Sequence, residues 1–122
     1  MSHKVLIADD EPNIVISLEY LMKRAGYEVL VARDGQEAID AIRRERPRLV
    51  LLDVMMPKKS GYDVCQKVRA LPDGPRTKII MLSAKGRDIE VTKGIAVGAD
   101  AYVTKPFSTK ELIARVQELL GE

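Results

Sequence analysis

Leu49-Val50-Leu51-Leu52-Asp53-Val54-Met55-Met56-Pro57 decides the reading of this chain. Its apolar run is continuous, as in a strand covered by helices on both faces of its sheet; a half-exposed antiparallel strand would alternate with period two. Four more runs of the same kind lie on either side: Val5 to Ala8, Val29 to Ala32, Ile79 to Leu82 and Ala101 to Val103. Successive runs start about 20 to 30 residues apart, the repeat of a β/α unit. The expected fold is α/β, a doubly wound parallel sheet of five strands with five helices and strand order 2-1-3-4-5.

Helical patterns fill the intervals. Ile14, Leu18, Leu21, Met22 and Ala25 recur at helical spacing, with Pro12 tolerated in the first turn and Gly26 placed to end the helix. Ala38, Ile39 and Ile42 mark a second helix stopped by Pro47, and Val64, Val68 and Leu71 a third after Ser60-Gly61. Asp88 to Val97 reads as a fourth with a thin apolar face, interrupted by Thr92 and Gly94. The last helix opens at Ser108-Thr109-Lys110-Glu111, a capping-box pattern, and continues through Leu112, Val116, Leu119 and Leu120.

The 122 residues are expected to form a single domain over positions 1–122. A composition of 46% hydrophobic and 31% charged residues fits a globular protein and leaves little room for extended disorder. The formal charge is +2, with the basic residues scattered and no aromatic platform around Tyr102 and Phe107, so neither nucleic acid nor membrane is an expected partner. The lone Cys65 cannot form an internal disulfide and reads as a packing residue; His3 reads as a surface residue. No segment approaches eighteen apolar residues, and the cytoplasm is the expected compartment.

Three of the apolar runs end in charge. The first leads into Asp9-Asp10-Glu11, the third into Asp53 and the fifth into Lys105-Pro106. In an open α/β sheet, ligands bind beyond the carboxyl ends of the strands where strand order reverses, and the order 2-1-3-4-5 sets runs one and three side by side there. Two carboxylates about 4 Å apart repel by roughly 4 kcal/mol at an effective dielectric near 20. Asp9, Asp10 and Asp53 together therefore call for a hard cation, and magnesium suits them, with manganese as the alternative ion. Lys105 supplies a compact positive charge at the same edge, and Ser83, ending the fourth run, a hydroxyl donor. Asp53 then has the surroundings of a nucleophile toward phosphorus, with an aspartyl phosphate as product.

At these residues the chain resembles the receiver domains of two-component response regulators, including the single-domain chemotaxis type, whose fold is flavodoxin-like. The resemblance rests on Asp9-Asp10-Glu11-Pro12, Asp53-Val54-Met55-Met56-Pro57 with Ser60-Gly61, Ser83-Ala84 and Lys105-Pro106-Phe107, and it spans essentially the whole chain. It implies that Asp53 accepts phosphate, that Asp10, Asp53 and the Met55 backbone carbonyl bind magnesium, and that Asp9 acts mainly through a metal-bound water. It also implies that Ser83 moves toward the phosphoryl group, that Tyr102 swings inward behind it, and that the Lys105-Pro106 bond is cis. Serine at position 83 stands where threonine is also common, and both carry the hydroxyl.

The resemblance implies a phosphorylation-dependent switch that catalyses its own phosphorylation and slow dephosphorylation. A sensor histidine kinase, a phosphotransfer protein or a small phosphodonor would load Asp53, and the surface of the fourth helix, fifth strand and last helix would control a target protein or an output domain. The chain would act as a monomer or a phosphorylation-dependent dimer. Five β/α units account for its length, so a receiver alone is expected, whether made so or excised from a longer regulator.

Each residue also has a plainer reading. Asp10 or Glu11 alone fits a helix N-terminus, Asp53 a turn, Ser83 a local cap and Tyr102 a core aromatic with its hydroxyl at the surface. Two rival functions use the same topology. A small magnesium phosphohydrolase resembling the haloacid dehalogenase group would carry a second aspartate two residues after its nucleophile, where this chain has Met55. A flavin module would want a donor-rich loop after the first strand, where Asp9-Asp10-Glu11 would repel the flavin phosphate.

Overall fold

Five strands, β1 (Lys4–Ala8), β2 (Glu28–Ala32), β3 (Leu49–Asp53), β4 (Lys78–Ser83) and β5 (Ala101–Thr104), pair in parallel in the order β2-β1-β3-β4-β5. The structure, a computed structural model, describes residues 3–56, 58–71, 77–83 and 98–121. Its four described helices are α1 (Pro12–Arg24), α2 (Gly35–Glu45), α3 (Gly61–Arg69) and α4 (Thr109–Leu120). The helix expected from Asp88 to Val97 lies outside the described residues, as do Pro57 and Ala84 of the quoted motifs.

The continuous apolar runs are explained by two cores, one on each face of the sheet. Successive strand residues point to opposite faces. Leu6, Ala8, Val50, Leu52, Ile79 and Met81 pack with Ala38, Ile39 and Ile42 of α2 and Val64, Cys65 and Val68 of α3. Val5, Ile7, Leu49, Leu51, Ile80 and Leu82 pack on the other face with Val15, Leu18 and Met22 of α1 and Leu112, Val116 and Leu120 of α4. All five residues of β3 are buried, because this strand is central and covered twice. Burying each Val, Leu, Ile or Met side chain of these cores stabilises the fold by about 1.5–3 kcal/mol before conformational entropy is charged against it.

The helix ends follow local chemistry. Pro12 occupies the first turn of α1, where its missing N–H costs nothing, and Glu11 stands at the N-cap without a side-chain capping bond. Asp34 caps α2 by accepting the Glu37 N–H at 2.9 Å. At α4 the Ser108 hydroxyl accepts the Glu111 N–H at 3.3 Å, which is half of the box expected there. The reciprocal box forms at α3 instead. Ser60 Oγ accepts the Asp63 N–H and the Asp63 carboxylate accepts the Ser60 N–H, both at 3.2 Å.

At the pole opposite the strand tips, Arg69 bridges three segments. Its guanidinium donates to the Gly98 carbonyl at 3.0 Å, the Thr77 carbonyl at 2.8 Å and an Asp100 carboxylate oxygen at 2.8 Å. The same Asp100 oxygen accepts the Ile79 N–H at 2.7 Å. This fork ties the end of α3 to the starts of β4 and β5.

Candidate functional site

Register brings the acids together. Ala8 of β1 is opposite Leu52 of β3, so the next residues, Asp9 and Asp53, leave the sheet side by side. Asp9 is fully buried and Asp53 nearly so, while Asp10 is exposed. One carboxylate oxygen from each of the three lies within 4.8 Å of the others. The Glu11 N–H donates to Asp9 Oδ1 at 2.9 Å, and the Met55 N–H donates to Asp53 Oδ1 at 3.3 Å. The first of these ties the Asp9 carboxylate to the N-cap residue of α1.

Lys105 arrives from the far side. The last pair of the β4–β5 ladder is Ser83 with Thr104, and the Lys105 N–H donates to the Ser83 carbonyl just beyond it. From there the side chain crosses the tips of β4 and β3. Its Nζ donates to Asp9 Oδ2 at 2.8 Å and stands 3.4 Å from Asp53 Oδ1. The Lys105-Pro106 peptide bond is cis. Ser83 is buried at the end of β4. Tyr102, opposite Met81 in the ladder, is half-buried against the core on the α2 and α3 face. Met55 projects its side chain into solvent beside the pocket.

The electrostatics follow from this geometry. Burial pushes the Asp53 carboxyl up, the Asp9 carboxylate pushes the same way, and Lys105 with the Met55 N–H offsets only part, leaving Asp53 at about 6. Burial disfavours the Lys105 ammonium, but its hydrogen bond to Asp9 and the charges of Asp53 and Asp9 outweigh that and raise its pKa. One ammonium cannot balance three carboxylates. The donor set, hard oxygens with two of three residues buried, fits a divalent cation that prefers oxygen.

Two glycines start helices in close backbone contacts, Gly61 from the Ser60-Gly61 motif and Gly35, which the motif reading missed. A Cβ on Gly61, the first residue of α3, would lie 2.3 Å from the Asp53 carbonyl oxygen. The Gly61 N–H also donates to the Val54 carbonyl at 2.8 Å, so α3 starts directly against the tip of β3. A Cβ on Gly35, the first residue of α2, would lie 2.2 Å from the Lys59 carbonyl oxygen. Glycine after a capping residue is the only trace of either contact in the sequence, as Asp34-Gly35 and Ser60-Gly61.

Comparison with known proteins agrees with this architecture. Residues 5–117 match the family model described as the response regulator receiver domain. A putative response regulator from Chloroflexus aurantiacus J-10-fl is 36% identical with a TM-score of 0.94, each chain being covered in full. The BeF3-activated DrrB receiver domain is 34% identical with a TM-score of 0.89, again over 100% of both chains. The chemotaxis response regulator CheY4 of Vibrio cholerae is 32% identical with a TM-score of 0.91, over 98% of this chain and 99% of that one. The chain belongs to the receiver domain family of two-component response regulators.

Proposed function

We propose that this protein is a phosphorylation switch in which Asp53 is the phosphoacceptor. The observation that carries the reading is the Asp9, Asp10 and Asp53 cluster with the Lys105 ammonium 2.8 Å from Asp9 and 3.4 Å from Asp53. A carboxylate oxygen of Asp53 attacks the phosphorus of a phosphohistidine or small acyl phosphate. The new O–P bond forms as the donor P–N or P–O bond breaks, and its electron pair leaves with the imidazole or carboxylate of the donor. Hydrolysis later returns Asp53 and inorganic phosphate.

Asp10, Asp53 and the Met55 carbonyl would hold Mg2+, with Asp9 acting through a bound water; Mn2+ is the alternative ion. When bound, the cation neutralises the incoming phosphoryl oxygens. Lys105 offers its ammonium to the same oxygens, exchanging part of its contact with Asp9 and Asp53 for them. Ser83 donates its hydroxyl to the phosphoryl group, and Tyr102 moves inward behind it. The added charge can bias the protein only by its preference for one arrangement of these groups. The readout surface on this proposal is β5 and α4 with residues 88–97.

The donor would be a sensor histidine kinase, a phosphotransfer protein or a small phosphodonor, and the receiver of the signal a target protein or an output domain. The BeF3-activated relative supports the reading, since beryllofluoride on a carboxylate mimics a phosphoryl group. The proposed setting is the cytoplasm; no described helix is long and apolar enough to cross a membrane.

Incubation with acetyl phosphate and magnesium, followed by intact mass measurement, tests the chemistry. Wild type gains the mass of one phosphoryl group and Asp53→Ala does not. A gain in both, or in neither, overturns the assignment. Multiple-turnover release of phosphate from external phosphoesters would favour the phosphohydrolase instead.

A further inference from the structure

The loop between β3 and α3 carries the Met55 carbonyl, and its far end rests on the start of α2. Lys59 sits so close to Gly35 that an added Cβ would lie 2.2 Å from the Lys59 carbonyl oxygen and 2.5 Å from the Lys59 Cβ. Gly35 is buried at this contact. Beside it, Lys58 holds a left-handed backbone with φ of 68°, a conformation unfavourable for a residue with a side chain unless its surroundings hold it there. Lys58 Nζ lies 3.6 Å from Asp34 Oδ2, while Asp34 Oδ1 caps α2 through the Glu37 N–H. At its near end the loop is fixed by the Val54 N–H to the Leu82 carbonyl at 3.0 Å and the Gly61 N–H to the Val54 carbonyl at 2.8 Å. Met55 lies between these two anchors.

We propose that Asp34 and Gly35 form a seat for the β3–α3 loop, and that this seat positions the Met55 carbonyl so that the start of α2 tunes the affinity of the acidic pocket for a divalent cation. The inference rests on the magnesium-binding role proposed above for Met55. Gly35 is a positioning residue: only the absence of a side chain lets the Lys59 backbone approach this closely. In the Lys58–Asp34 pair the lysine is exposed but the Asp34 side chain is only 13% exposed, so the contact holds the loop beside the helix start. Both parts are needed: Gly35 admits the Lys59 backbone, and the Lys58–Asp34 pair holds the loop on it.

Magnesium titration calorimetry on metal-free protein tests the seat, with acetyl phosphate labelling followed over a range of magnesium concentrations. Gly35→Ala is expected to weaken magnesium binding about tenfold, the scale on which groups that orient metal ligands act. Labelling of Asp53 slows at low magnesium and recovers at saturating magnesium. Lys58→Gly keeps the left-handed backbone accessible and Gly35 unobstructed, and covers the case in which Gly35→Ala does not fold; it is expected to weaken binding about threefold by losing the Asp34 partner and loosening the loop. Unchanged magnesium affinity in folded Gly35→Ala, even with lowered stability, overturns the seat, and so does unchanged affinity in Lys58→Gly if Gly35→Ala is unfolded. A wild type that binds no magnesium or is not labelled overturns the functional reading itself.

Discussion

The Lys105 ammonium donates to an Asp9 carboxylate oxygen at 2.8 Å, joining residues 96 positions apart in the chain. Asp9 has no solvent exposure, and the Lys105 side chain is 14% exposed. Such a pair does two things. It holds the loop after β5 over the pocket, and it keeps a buried carboxylate from standing unpaired beside Asp53.

Removing one partner of a buried ion pair strands the other. Lys105→Met is therefore expected to lower the free energy of unfolding by about 2–4 kcal/mol at neutral pH in the absence of divalent metal. Added magnesium recovers part of the loss, because the cation replaces the missing countercharge. Urea unfolding with EDTA and with magnesium measures both effects. Equal stability of variant and wild type in EDTA would contradict the pairing.

Asp53 gives stability a definite pH dependence in metal-free protein. Its pKa is raised from 3.8 to about 6 on folding, so between those values the folded state binds more protons than the unfolded state and stability falls as pH rises. The carboxylate is then a liability of about 1–3 kcal/mol at pH 7. Asp53→Asn removes it. The variant is expected to be more stable than wild type at pH 7 in EDTA, with the difference shrinking as pH falls toward 4. Denaturation midpoints that keep a constant separation across this range would refute the prediction.

Gly61→Ala places a methyl group 2.3 Å from the Asp53 carbonyl oxygen, which is backbone and cannot rotate away. The helix must retreat from the strand tip, at a cost of about 1–3 kcal/mol. Thermal unfolding reads the loss, and acetyl phosphate labelling of Asp53 slows with it. A fully stable Gly61→Ala protein would mean that α3 does not start against β3.

Beryllofluoride with magnesium is expected to shift the backbone amide signals of Ser83, Tyr102 and Lys105. The Arg69–Asp100 fork provides an internal control, since its 2.8 Å contact lies at the pole of the sheet opposite the pocket. Amide signals near Arg69 and Asp100 stay in place. Unchanged signals at Ser83 and Tyr102 would remove the switch while leaving metal binding intact.

Much of this protein is legible residue by residue. The run Leu49 to Leu52 reads as a strand covered on both faces because every one of its side chains is apolar, and β3 is buried throughout. Asp53 and Lys105 read as strand-end charges because Asp53 follows its apolar run directly and Lys105 follows its run after Thr104 alone. Ser108 with Glu111 fits the capping-box pattern better than Ser60 with Asp63, yet only the serine half forms at Ser108 while both halves form at Ser60, because the backbone at each helix start decides whether the acid reaches back.

The linear order of residues by itself determined the elements, their alternation and the charges at their ends, since strand and helix periodicity and helix-stop signals act over a few neighbouring positions. The tertiary structure alone decided that Lys105 bonds Asp9 more closely than Asp53, that Asp53 holds its proton to about pH 6, and that Gly35 and Gly61 must lack side chains. Those properties depend on ångström-scale distances between groups far apart in the chain. Sheet register and the packing of α2 and α3 against the strand tips set such distances, and no local pattern encodes them.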